Sequence, residues 1–126
     1  MPTKYVSTSG APQPIGPYSQ GVISGGLLFC SGQIALDPET GEVVEGDVAA
    51  QTERALQNLI AVLREAKMGP ENVVKATVYL TDMADFAKMN EIYGRYLGAK
   101  PPARTTIAVA GLPKGVKVEI DVIAAF

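Results

Sequence analysis

Two periods run through the apolar positions of this chain, one of two residues and one of 3.6. Residues 20–24 and 27–35 flank Gly25-Gly26. That arrangement predicts a β-hairpin closed by a Gly-Gly turn. Residues 4–7 allow a short extra strand before it. Asp37-Pro-Glu-Thr-Gly41 predicts a turn. Val48, Thr52, Ala55, Leu56, Leu59, Val62, Leu63 and Ala66 recur at helical spacing, with Asp47 as the expected N-cap and Met68-Gly69-Pro70 as the stop. Gln51, Arg54, Asn58, Arg64 and Glu65 fall outside that stripe. Residues 72–80 are rich in β-branched side chains and predict a strand. Thr81-Asp82 opens a second helix, with Phe86, Met89, Tyr93, Tyr96 and Leu97 as its apolar face and Gly98 and Pro101-Pro102 as its end.

Two further strands close the chain around Gly111-Leu112. Pairing them as a hairpin, apolar face to apolar face, puts Thr105, Ile107 and Val109 with Val116, Val118, Ile120 and Val122. Arg104, Thr106 and Glu119 then project together, away from the helices, with Arg104 nearly opposite Glu119. Such a pair reads either as an ordinary cross-strand ion pair or as a carboxylate-binding cation beside a proton-transfer group. The order β-β-α-β-α-β-β predicts an α+β fold, one sheet with two helices on one face, and leaves the other face to solvent or to another subunit.

Composition narrows the chemistry. The 126 residues suit a single domain, 1–126, and 47% are hydrophobic, enough for a core without staples. No apolar run approaches the ~20 residues of a membrane span, and the N-terminus lacks a signal-peptide core. A single cysteine rules out an internal disulfide, so a cytoplasmic location is expected. The net charge of −2, without a Lys/Arg cluster, disfavours nucleic acid as a partner. Histidine is absent. That excludes Ser-His-Asp and Cys-His nucleophilic sites and disfavours a metal centre. Proton chemistry is left to carboxylates, Tyr, Lys, backbone or water.

Other positions are candidates on weaker grounds. Asn90 lies on the apolar stripe of the second helix, where its amide needs partners: either a neighbouring backbone group or a ligand. Ser31-Gly32-Gln33 marks a bulge or a close backbone approach. Cys30, flanked by apolar residues, is expected to be buried and inert. Tyr18 ends the irregular stretch from Gly10 and either packs or turns its hydroxyl to a site.

These residues coincide with a known pattern. Ile15-Gly-Pro-Tyr-Ser-Gln20, Ser31-Gly-Gln33, Thr40-Gly41, Val74-Lys-Ala-Thr-Val78, Asn90, Pro102-Ala-Arg104 and Leu112-Pro-Lys-Gly-Val-Lys-Val-Glu119-Ile120 occur in order and at the spacing of the Rid (YjgF) family. The chain closely resembles that family's reactive intermediate deaminase A branch over essentially its whole length. The resemblance implies a chorismate-mutase-like α+β fold, a homotrimer with active sites in clefts between subunits, and no cofactor or metal. The implied reaction is hydrolysis of enamine/imine intermediates, such as 2-aminoacrylate/2-iminopropanoate and 2-iminobutanoate, to 2-keto acid and ammonia. By resemblance Arg104 clamps the substrate carboxylate and Glu119 positions and activates water. Glu119 is expected to be kept ionised by Arg104 beside it. Tyr18, Ser31, Gly32, Asn90 and Thr106 match cleft positions. Residue 106 is Cys in some members; Thr106 here argues against a thiol mechanism. Two other functions stay open: a ribonuclease or translation inhibitor, and a non-enzymatic trimer that binds small carboxylates.

Overall fold

A computed structural model describes residues 2–126 of the chain. Strands β1 (Lys4–Val6), β2 (Gly21–Ser24) and β3 (Leu27–Gln33) come first, then helix α1 (Val48–Glu65), strand β4 (Val73–Leu80), helix α2 (Phe86–Leu97), and strands β5 (Ala103–Ala108) and β6 (Val118–Ala125). The six strands form one mixed sheet in the order β1-β2-β3-β6-β4-β5. Both helices cover one face, as the apolar pattern predicts. Leu28, Leu56, Leu59, Leu63, Val78, Leu80, Met89 and Ile120 fill the space between helices and sheet. No helix among the described residues is long and apolar enough to cross a membrane.

The helix and turn signals hold. Asp47 caps α1 by accepting from the Ala50 N–H at 3.1 Å. Gly25 and Gly26 both take positive φ in the β2–β3 turn, a conformation that glycine adopts without strain. The start of α2 is more broken than expected: a short 3-10 turn, Met83–Asp85, precedes it.

The closing strands do not form a hairpin. β5 pairs parallel with β4, while β6 lies antiparallel between β3 and β4. The reason is burial. Val118, Ile120, Val122 and Ala124 of β6 are all fully covered, whereas β5 has no fully buried residue. The more apolar strand takes the centre, where it gains two hydrogen-bonded neighbours. β5 goes to the edge, reached through the long crossover that a parallel pair requires, here α2.

That pairing reverses a face. Arg104 sits opposite Ala76 and Thr106 opposite Val78, both core residues, so Arg104 and Thr106 point to the helix side. Glu119 sits opposite Tyr79 and points to the open side. The expectation that Arg104, Thr106 and Glu119 project together is therefore overturned. The apolar side chain of β5, Ile107, lies on the open face with Phe29; they are 41% and 44% exposed.

Two amides of α1 that the periodicity assigned to its polar side are buried instead. Asn58 donates to the carbonyls of Ile34 and Leu36 at 3.1 and 3.0 Å and accepts twice from Arg54. Gln51 accepts from the Lys117 N–H at 2.8 Å. They tie α1 to the chain leaving β3 and to the start of β6. Replacing Asn58 by Ala strips partners from buried carbonyls, and a lost buried hydrogen bond of this kind costs about 2–3 kcal/mol. Arg54→Ala keeps the bonds to both carbonyls and is expected to cost under about 1 kcal/mol. Urea unfolding of the two variants checks the difference.

Candidate functional site

Arg104 leaves the edge strand toward α2. Its guanidinium lies over the Tyr93 ring, 4.7 Å from the centroid, and 5.5 Å from that of Phe86. One N–H donates to Asn90 Oδ1 at 2.6 Å. Phe86, Asn90 and Tyr93 stand at i, i+4 and i+7, one stripe of the helix. Asn90 is exposed rather than buried, and its partner is this cation rather than a backbone group. Thr106, next on the same face of β5, has a buried hydroxyl with no partner among the described residues, as does Tyr93. Burial raises the Tyr93 pKa, with Arg104 pulling the other way.

Glu119 belongs to a second cluster on the open face. A cleft of about 310 Å³ is lined by Ile15, Tyr18, Ser31, Gly32, Pro113 and Glu119. The register between β3 and β6 shifts between Cys30 and Gln33, which is the predicted irregularity at Ser31-Gly32. Its use is now visible: a Cβ on Gly32 would lie 2.9 Å from Glu119 Cδ and closer still to a carboxylate oxygen. The glycine makes room for the acid to lie against the strand. Ser31 anchors the neighbouring loop by donating its hydroxyl to the Ser19 carbonyl. Buried Gln20 holds that loop through the Thr8 N–H and the carbonyls of Thr8, Ala11 and Pro12. Tyr18 accepts from the Ile15 N–H at 3.2 Å and stays about half exposed at the cleft mouth.

Burial pushes the Glu119 carboxyl above the ordinary carboxylate range, and Asp121 on the same face adds to it. Asp121 itself accepts from the Tyr79 hydroxyl at 3.0 Å. The expectation that Arg104 keeps Glu119 ionised within one chain fails, because the two are not neighbours. β4 lies between their strands and three residues separate their levels, so their backbones stand ~14 Å apart at ~4.8 Å per strand and ~3.3 Å per residue. The salt bridges among the described residues are Lys88–Asp47 and Arg95–Glu91. Cys30 is buried, its thiol pushed up to about 12 by burial and Asp121, and is not positioned to react.

The seven predicted positions thus divide into two groups, Asn90, Arg104 and Thr106 against Tyr18, Ser31, Gly32 and Glu119. Phe86 and Tyr93, expected only as part of the helix's apolar face, join the first group. Their spacing around Asn90 was the available signal, but the face that Arg104 takes was needed to use it.

Residues 8–126 match the family Ribonuc_L-PSP, Endoribonuclease L-PSP. A 2-iminobutanoate/2-iminopropanoate deaminase from Bos taurus is 46% identical over 121 residues, covering 96% of this chain and 88% of the bovine protein. The solved structure of the E. coli YjgF gene product has a TM-score of 0.92 at 43% identity, covering 97% of this chain and 98% of that one. That of E. coli TdcF with bound serine has a TM-score of 0.93 at 41% identity, covering 98% of both chains. With matches that run nearly end to end in both sequence and fold, this chain belongs to the Endoribonuclease L-PSP family, the YjgF/Rid family.

Proposed function

We propose that the protein is a hydrolytic deaminase of small 2-imino acids, working as a homotrimer whose clefts join the Arg104 group of one chain to the Glu119 group of the next. The observation that carries this reading is the separation of two complementary groups. One chain offers a carboxylate-binding cation at its sheet edge and a proton-accepting acid on its open face, and it cannot bring them together. A contact between two different patches of identical chains is heterologous, and it closes into a ring where the rotation between neighbours allows it; both the closure and the count of three follow the family resemblance. The exposed Phe29 and Ile107 give the open face apolar surface for such a contact. The bovine relative's name and the serine bound in TdcF support a small amino-acid-like substrate.

In this cleft Arg104 grips the substrate carboxylate through a fork of N–H donors, which suits a carboxylate better than an ammonium would. The enamine tautomerises to the imine, whose C2 is already electrophilic. Glu119 takes a proton from water as the oxygen bonds to C2 and passes it to the imine nitrogen, giving a carbinolamine; it then takes the C2 hydroxyl proton and passes it to the amine as the C–N bond breaks and the carbonyl forms. The products are the 2-keto acid and ammonia. Orientation of one water and one carboxylate supplies the catalysis. The family's description as an endoribonuclease favours RNA, but the single chain's lining of the Glu119 cleft carries no Lys or Arg among the described residues, so the proposed cleft adds only Arg104 of the next chain, short of the run of cations that a phosphate backbone calls for.

Added to a dehydratase that releases 2-aminoacrylate, the protein is expected to speed formation of pyruvate. Arg104→Ala and Glu119→Gln are each expected to lower kcat/KM by about 10²–10³-fold. Co-refolding the two inactive variants in equal amounts should restore about a quarter of the sites, since half the arginine donors meet half the glutamate donors in a ring. No recovery would refute the shared cleft, and full activity of Arg104→Ala would refute the clamp.

Gly32→Ala tests the seat of Glu119. The added methyl displaces the flexible carboxylate rather than backbone, so thermal stability should change little. Turnover should fall by about 10–100-fold, the usual cost of an ångström of misplacement.

The titration of Glu119 gives a test that needs no turnover. Burial and Asp121 raise its pKa, and an arginine from the next chain lowers it by favouring the carboxylate. In Arg104→Ala that opposing charge is gone, so the carboxyl should protonate at higher pH than in the unsubstituted protein. Carbon-13 NMR of the Glu119 side chain reads the change, and an unchanged midpoint counts against the contact between chains.

A further inference from the structure

We propose that Phe86 and Tyr93 are positioning residues for Arg104: their rings hold the guanidinium by its faces, so that its in-plane N–H donors stay free for a ligand carboxylate. The inference rests on reading Arg104 as the carboxylate clamp.

A half-buried cation on an edge strand is most simply stabilised by an acid. The neighbouring helix has one within reach of its surface, Glu91, but that carboxylate pairs with Arg95 at 3.1 Å on another side of α2. The stripe that meets Arg104 carries Phe86, Asn90 and Tyr93 instead. An acid at position 90 would neutralise the guanidinium and occupy the same donors that a substrate needs. The Asn90 amide takes one N–H and brings no charge. The two rings attract the cation through their π faces, which uses none of its five N–H donors. The arrangement fixes a long side chain with large rotamer freedom, yet leaves four donors and the full positive charge available.

The Tyr93 hydroxyl has no partner among the described residues. Its ring, therefore, is the part that bears on Arg104. Phe86 is 37% exposed and sits in the first turn of α2, so it can be changed without opening the core.

The test measures pyruvate binding by calorimetry on the protein in its native assembly, alongside turnover. Phe86→Leu, which loses the π face, should bind pyruvate about fivefold more weakly and raise KM more than it lowers kcat. Phe86→Met serves the same purpose where Leu disturbs folding or assembly. Phe86→Tyr and Tyr93→Phe keep the rings and should stay within about twofold of the parent. The proposal is overturned by unchanged binding in both Phe86→Leu and Phe86→Met, or by Phe86→Tyr binding as weakly as Phe86→Leu. A loss in Tyr93→Phe, which would assign the role to the hydroxyl, also overturns it, as does a parent protein that fails to bind pyruvate at tens of millimolar. Failure of the deaminase reading looks different: no acceleration of keto-acid release, with these binding ratios intact.

Discussion

Strand β6 lies in the slot between β3 and β4, and most of the structure depends on that insertion. Because β6 is antiparallel to both neighbours, β3 and β4 run parallel with a gap of one strand, and β5 continues the series beyond β4. The two crossovers, through α1 and through α2, therefore advance in the same direction across the sheet. Crossovers of the same hand then lie on the same face, which is where both helices are found. The other face is left without cover. Successive side chains of a strand alternate between these two environments. So Glu119, one residue from core Val118 and core Ile120, must face the uncovered side, and Arg104, level with core Ala76, must face the helices.

The two charged groups reach stability by different means. Glu119 lies in a close fit against Gly32 and loses water without gaining a cation, so its proton affinity rises. The Arg104 guanidinium meets aromatic faces and an amide oxygen instead of an acid. Each group is held with its strongest interaction unmade. That is the expected state of a site whose completion comes from outside the single chain, and it is unlike a structural ion pair, in which the two charges would already satisfy each other.

How much of this was legible in the sequence depends on how local each feature is. The cap at Asp47, the Gly25-Gly26 turn and the apolar stripe of α1 were legible because they depend on residues within a few positions of one another. The partner of β5 was not. Alternation in Thr105, Ile107 and Val109 states that two faces exist but not which is the core, and Ile107 turns out to lie on the open side. A loop short enough for a hairpin favoured the wrong neighbour, since nothing local records that β6 has the better claim to the centre. Asn58 and Gln51 were misread for a related reason: an amide counts as polar along a helix, yet it is the right residue to bury where a passing strand or loop exposes lone carbonyls and N–H groups. Gly32 was legible as a close approach, but the group approaching it, Glu119, is 87 positions away in the chain.

The absence of histidine gives the surroundings of Glu119 their chemical weight. A carboxyl at its ordinary pKa is a weak base and, at neutral pH, a poor source of protons. Burial and Asp121 move Glu119 toward the range in which one group can take a proton from water and return it to nitrogen. An arginine from a neighbouring chain pulls the other way, so in the proposed cleft the proton affinity of Glu119 is set by the balance of the two. Asp121 is fixed by Tyr79 within the same chain, whereas the opposing cation arrives only with the neighbour. On that reading assembly does more than complete the lining of the cleft. It supplies the charge that binds the substrate and, beside Glu119, a charge that favours the carboxylate against the burial and the Asp121 charge that raise its pKa.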